Sequence, residues 1–260
     1  MIMRTAISLA KREFTRFIRQ PQRVIGAIGQ PLLFWLFLGS GFSGSFRPPG
    51  MEGMSYLEFF YPGVMLMMML FASIFSSITI IEDRDQGFLQ GVLVAPVPRI
   101  GIVLGKVLGS TMIAMVQCLL FLILAPILGL PVSAFGLLMV LLALLFSSIG
   151  FSSLGFMLAW GMKSTAGFHA VMMVFLMPLW MLSGALFPIN AVPTWLNVLM
   201  TVNPITHALV LIRAPFYMET TGQLFSTDYL IAVGVVGLWV VGTLYISMQR
   251  VKKREKGVTA

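Results

Sequence analysis

The chain has 260 residues, of which 58% are hydrophobic and only 10% charged, with a net charge of +8 and a mean hydropathy of +0.95. A soluble domain carries roughly a quarter charged residues, so this much apolar surface excludes a water-soluble globule and directs attention to membrane spans. The single Cys118 excludes an internal disulfide and a cysteine metal cluster.

The first twenty residues place Ile7, Ala10, Phe14 and Phe17 on one helical stripe, with Arg4, Lys11, Arg12, Arg16 and Arg19 mostly around the other side. This pattern predicts an amphipathic interfacial helix over 1–23, its apolar face among lipid headgroups and its basic face on their phosphates. Six stretches then reach the roughly 20 apolar residues a spanning helix needs: 24–42, 59–81, 101–128, 134–160, 168–187 and 229–248. The first is read as a retained anchor, because 23 residues precede it and it exceeds the apolar core of a signal peptide. The fold class expected is therefore all-α and integral to the membrane, as one transmembrane domain over 1–260.

Lys and Arg fix the orientation, since positive loops stay cytoplasmic. With the N-terminus inside, all 17 except Arg47 and Arg213 fall on the cytoplasmic side, and both termini are cytoplasmic. Beside spans, these charges have anionic lipid as their nearest partner, and no nucleic acid is expected.

Between the second and third spans, 82–100 forms a cytoplasmic loop. It carries Glu82-Asp83-Arg84-Asp85, then Gly87-Phe88-Leu89, then Pro96 and Arg99. A charged collar, a short helix with apolar knobs and a rigid exit suit a helix docked in a partner's groove; a plain solvated connection is the alternative. The third span opens with Gly101, Gly105 and Gly109, a small-residue face for close helix packing. Gly101–Lys106 is one residue short of a phosphate loop and is followed by Val107, so no nucleotide motif survives. The external region 188–228 is divided by Pro188, Pro193, Pro204 and Pro215; its apolar pieces 194–202 and 205–214 are too short to span and predict re-entrant or interfacial helices.

Span centres hold no charge, which removes the relay of an ion-coupled carrier. His169 and His207 fall on opposite membrane faces, so no metal site is expected, and no serine–histidine pair or acid cluster suggests a membrane enzyme. If the protein moves something uphill, the energy must come from another subunit.

Two motifs carry a family resemblance. One is Glu82-Asp83-Arg84 with Gly87, Leu89, Pro96 and Arg99; the other is Leu182-Ser183-Gly184-Ala185-Leu186-Phe187-Pro188, then Pro193-Thr194-Trp195-Leu196, Asn203-Pro204-Ile205-Thr206 and Arg213. In order, spacing and six-span topology the chain resembles the permease family of ABC type-2 exporters, departing from it at Gln90, where members often carry Glu. The resemblance implies a second permease copy, identical or a sister, with each copy on a cytoplasmic ATP-binding subunit. ATP and Mg would sit in that subunit, and this chain would hold no cofactor. It further implies that Gly87, Phe88 and Leu89 pack into the ATPase while Glu82, Arg84 and Arg99 orient the loop. Gly184, Phe187, Pro188, Asn203 and Pro204 would shape an external gate, with Trp195 anchored among outer headgroups. The cargo expected is hydrophobic or amphiphilic, drug- or lipid-like, in an inner-membrane exporter; a polysaccharide or haem export permease, or a non-transporting scaffold, remains the alternative.

Overall fold

A computed structural model describes residues 1–44, 54–130, 133–217 and 226–256. The expected external position of Arg47, and the acids Glu52 and Glu219, lie outside the described residues. Every described element is helical: α1 (Ile2–Ile18), α2 (Pro21–Ser43), α3 (Tyr56–Phe75), α4 (Ile78–Asp85), α5 (Phe88–Val94), α6 (Arg99–Leu122), α7 (Ala134–Gly161), α8 (Thr165–Trp180), α9 (Thr194–Val202), α10 (Pro204–Tyr217) and α11 (Thr227–Lys256). Six helices, or seven if the bent α9–α10 pair is one span, are long and apolar enough to cross a membrane.

Local chemistry explains the helix starts. Ser55 and Glu58 form a reciprocal capping box on α3, while Ser133 and Ser164 accept the backbone N–H groups of Gly136 and Gly167 at the heads of α7 and α8. Proline sets one end that the sequence reading placed too late. The third span, expected over 101–128, ends as α6 at Leu122, four residues before Pro126, whose ring would clash with the Leu122 carbonyl in a continued helix. The second expected span runs further than read: α3 is followed after Ser76-Ser77 by α4, which carries Glu82-Asp83-Arg84-Asp85 as its last turn instead of as loop.

α3 is the axis of the bundle, packed by α2, α6, α7, α8 and α10, and 78% of its best apolar window is buried. For α2 the share is 11% and for α8 it is 22%. These two helices are as apolar as a span requires yet hardly covered by their own chain, as befits surfaces that face lipid or another polypeptide.

α8 gives way after Trp180 to a wide turn, Met181–Ala185, in which Gly184 takes φ +85°, a left-handed conformation that L side chains rarely adopt. Beyond it α9 and α10 meet at Asn203-Pro204 with a bend of 82°, and Pro204 occupies the first position of α10, where its missing N–H is harmless. The apolar face of α10 is buried against α3, α7 and α11.

Candidate functional site

At one end of the bundle α1 lies along the first turns of α6. The Gly101-Gly105-Gly109 stripe is what admits it: a Cβ on Gly105 would stand 2.7 Å from the Leu9 Cβ, and one on Gly109 2.8 Å from the Glu13 Cβ. The expected packing face is thus occupied by the N-terminal helix. Of the apolar stripe read on α1, Ala10 and Phe17 turn inward with Leu9, whereas Ile7 is exposed.

This docking closes a six-residue charge cluster. Lys106 in α6 and Glu13 in α1 are each 4% exposed, and Asp83 in α4 is 0% exposed. The Lys106 ammonium donates to Glu13 Oε1 at 2.7 Å, to Asp83 Oδ2, and to Thr79 Oγ1 at 3.3 Å. Arg12 grips Asp83 in bidentate fashion at 2.8 and 2.9 Å and reaches Glu13 at 3.0 Å. Arg16 binds Glu82 at 2.7 Å and Asp83 at 3.3 Å. Three cations and three carboxylates balance, which is the condition under which buried charge is tolerated. The hydrogen bonds to Asp83 raise the Arg12 guanidinium above its ordinary value, so it is charged at any working pH.

Arg12 also carries the link to α5: its guanidinium carbon lies 3.7 Å above the centre of the Phe88 ring. Gly87, at φ +77°, makes the left-handed corner that turns the chain from α4 into α5. Leu89 is only 3% exposed and packs into the chain's own core. Its side chain therefore cannot serve as the outward knob the resemblance implied, and Phe88 lies under Arg12. A seven-residue helix shows one turn outward, and here that turn presents Gln90, Gly91 and Val94, the last 87% exposed, with Pro96 exposed just beyond. Arg84 donates to the carbonyls of Trp160 and Met162 at the end of α7, both at 2.8 Å, and Arg99 opens α6 after Pro98.

At the opposite end, the wide turn after α8 frees carbonyls that the elbow then satisfies. Asn203 donates to the Leu179 carbonyl at 2.7 Å and accepts from the Ile205 N–H at 3.0 Å, and Thr206 donates to the Leu182 carbonyl at 3.4 Å. Trp180 and Tyr56 tie the same region to α3 and to the carbonyl of Leu186. Arg213 lies 4.3 Å over the Phe59 ring. Phe187 and Pro188 are partly covered, Pro193 precedes the first turn of α9, and Trp195 is largely exposed on α9. Gly184, Asn203 and Pro204 thus come together, while Trp195 stands apart. His169 stacks on Phe75 and His207 contacts the Thr201 carbonyl; no group of three or more metal-ligating side chains forms among the described residues.

Between these ends, on the α1 side, a cavity of about 550 Å³ opens among α2, α3 and α8. Phe71, Phe75, Met67, Met173 and Met177 give it apolar walls, and Arg23, Gln22 and Gln117 give it polar points. A volume of this size fits one drug-sized molecule or one lipid-like chain.

A family profile described as ABC-2 type transporter matches residues 5–217. The chain belongs to the ABC-2 type transporter family. Among its relatives, the protein named "Putative transport permease ycf38" of Cyanophora paradoxa is 32% identical over 223 residues, covering 85% of this chain and 76% of the relative. Its counterpart in Porphyra purpurea is 26% identical, covering 92% and 82%. "Probable multidrug ABC transporter permease YbhR" of Escherichia coli K12 is 27% identical over 172 residues, covering 64% of this chain and 43% of the relative. Family membership and the six apolar helices make this a multi-pass membrane protein of the transport-permease kind.

The resemblance pointed to Glu82, Asp83 and Arg84 but not to their partners Arg12, Glu13, Arg16 and Lys106. A signal existed for two of them. Glu13 is the only acid in the basic N-terminal segment, and Lys106 is the only charge within an otherwise apolar stretch from Ile100 to Leu130.

Proposed function

We propose that this chain is the membrane subunit of an ATP-driven exporter that moves a hydrophobic or amphiphilic molecule outward. The carrying observation is the α5 assembly: a short helix clamped through Phe88 and Arg12 to a buried cluster that joins α1, α4 and α6, with one turn left facing outward. Such a helix is built to receive a push and hand it to three membrane-anchored elements at once. The relative named as a multidrug ABC transporter permease supports the same direction of reading. The cavity, apolar-walled and molecule-sized, favours a drug- or lipid-like cargo over a polymer such as a polysaccharide.

In this reading the basic end is cytoplasmic, in a cell membrane, with both termini on that side. An ATP-binding subunit docks on Gln90, Gly91, Val94 and Pro96 and holds the ATP and Mg, while this chain binds neither. A second permease copy faces the sparsely covered α2 and α8. α1 rests at the inner lipid surface through its exposed Lys11 and Arg19, and α9 and α10 form a re-entrant elbow at the outer face that gates the path around Gly184 and Asn203.

The test is purification of the tagged chain from its native host in mild detergent. An ATP-binding subunit is expected to accompany it and to be lost on Val94→Asp, with the melting temperature of the permease unchanged. A chain that purifies without an ATPase, or a variant that retains it, overturns the docking assignment. Leu89→Asp is unsuited to this purpose, because it would place a charge in the core.

A further inference from the structure

The α2–α3–α8 cavity has an asymmetry of charge that bears on what it accepts. Arg23 lines it from the first turn of α2, half-buried, and makes no hydrogen bond or ion pair among the described residues. The one carboxylate on the cavity wall, Glu82, is already engaged by Arg16 at 2.7 Å. Gln20 and Gln22 stand beside Arg23 as amide donors. In the first turn of α2 Pro21 has no N–H, and the N–H groups of Arg23 and Val24 donate to the Gln20 carbonyl at 2.9 and 3.1 Å, so the charge offered to the cavity from this end is the Arg23 guanidinium. Opposite them the walls are apolar: Phe71 stacks on Phe75 at 5.6 Å, and Met173 and Met177 of α8 complete the surface with flexible, polarizable side chains.

We propose that this cavity selects an anionic amphiphile, a carboxylate, sulfate or phosphate head held by Arg23 at the amino end of α2 with its apolar body between the Phe71–Phe75 stack and α8. The inference rests on the exporter reading for its description of the ligand as cargo, but the binding itself does not need an ATPase. The guanidinium fork matches the planar or tetrahedral oxygens of such heads. A cationic amphiphile of the same shape would meet Arg23 and Arg16 together against the single wall carboxylate Glu82, which already attracts both.

Three probes of equal chain length decide it: dansyl-undecanoate, its methyl ester, and a dansyl-undecyl trimethylammonium salt. Each is titrated onto the full chain in phosphatidylcholine nanodiscs, with signal from empty discs subtracted. The carboxylate is expected to bind about tenfold or more tightly than the other two. Arg23→Gln should erase that preference while leaving ester binding intact, and Arg23→Lys should restore most of it. Ala27→Trp, on the cavity wall, should weaken all three. Equal affinity for the three probes, a preference that survives Arg23→Gln, or indifference to Ala27→Trp would each overturn the proposal. Adding phosphatidylglycerol to the discs separates two sources of the same chemistry. Displacement of the carboxylate probe upholds the anion site with a membrane lipid as occupant; no displacement upholds it with a free amphiphile. Because no nucleotide is involved, a missing ATPase partner would sink the exporter reading and leave these affinities readable.

Discussion

Lys106 shows how much a single side chain can owe to residues far from it in sequence. Its ammonium is 4% exposed and shared between Glu13 and Asp83, 93 and 23 residues away. Removing one member of a buried ionic cluster leaves uncompensated charge and typically costs about 3–5 kcal/mol, whereas removing a balanced pair costs much less. Lys106→Met should therefore lower the melting temperature of the purified protein markedly, and Lys106→Met with Glu13→Leu should recover a good part of the loss, because Asp83 keeps its bidentate Arg12. A double variant no more stable than the single one would show that the cluster is not coupled in this way. The sequence displayed Lys106 as a positive charge near one end of an apolar stretch, which sufficed to orient it. Its partners were hidden because they depend on α1 reaching α6. Leu89 was misjudged for a related reason: in seven residues there are too few turns for periodicity to say which side faces inward.

Among elements, the docking of α1 on α6 depends on three missing side chains. The Gly101-Gly105-Gly109 spacing was legible as a close-packing face, since small residues four apart lie on one side of a helix. Which helix would use it was not, because several apolar helices could have fitted. Gly105→Leu places branched carbon where the Leu9 side chain and the Ala6 carbonyl stand. It should push α1 away and open the charge cluster behind it. Hydrogen–deuterium exchange of the purified variant should show faster exchange over 2–18 than in the parent chain; protection equal to the parent's would mean that α1 is held elsewhere. The end of α6 is a case where the local rule was available and was overridden by hydropathy. Apolar residues continue past Leu122, but Pro126 forbids the fourth carbonyl before it from staying in a helix.

For the whole molecule, the presence of six apolar helices was legible, though not all of their ends, because lipid demands length and hydropathy and both are properties of the sequence. The α9–α10 elbow was visible only as two pieces too short to span, and its 82° bend and the burial of α10 come from packing that no local pattern encodes. The proposed orientation rests on the distribution of Lys and Arg and can be checked in intact cells. Cys118 is fully buried and serves as a silent background. Lys163→Cys, at the basic end, should react with a membrane-impermeant maleimide only after the cells are opened. Trp195→Cys, on exposed α9, should react in whole cells. The reverse pattern would invert the topology and with it the assignment of the α5 face to a cytoplasmic partner.

The pairing of Glu13 with Lys106 also imposes an order of events during synthesis. α1 leaves the ribosome before α6, and the face that receives it is made some 90 residues later. At ordinary elongation speeds of about 5–20 residues per second, that is a delay of roughly 5–20 s. Throughout it α1 has neither its glycine groove nor the counter-charge for Glu13. α1, although made before α2, α3, α4 and α5, can therefore settle only after all four of them have been made.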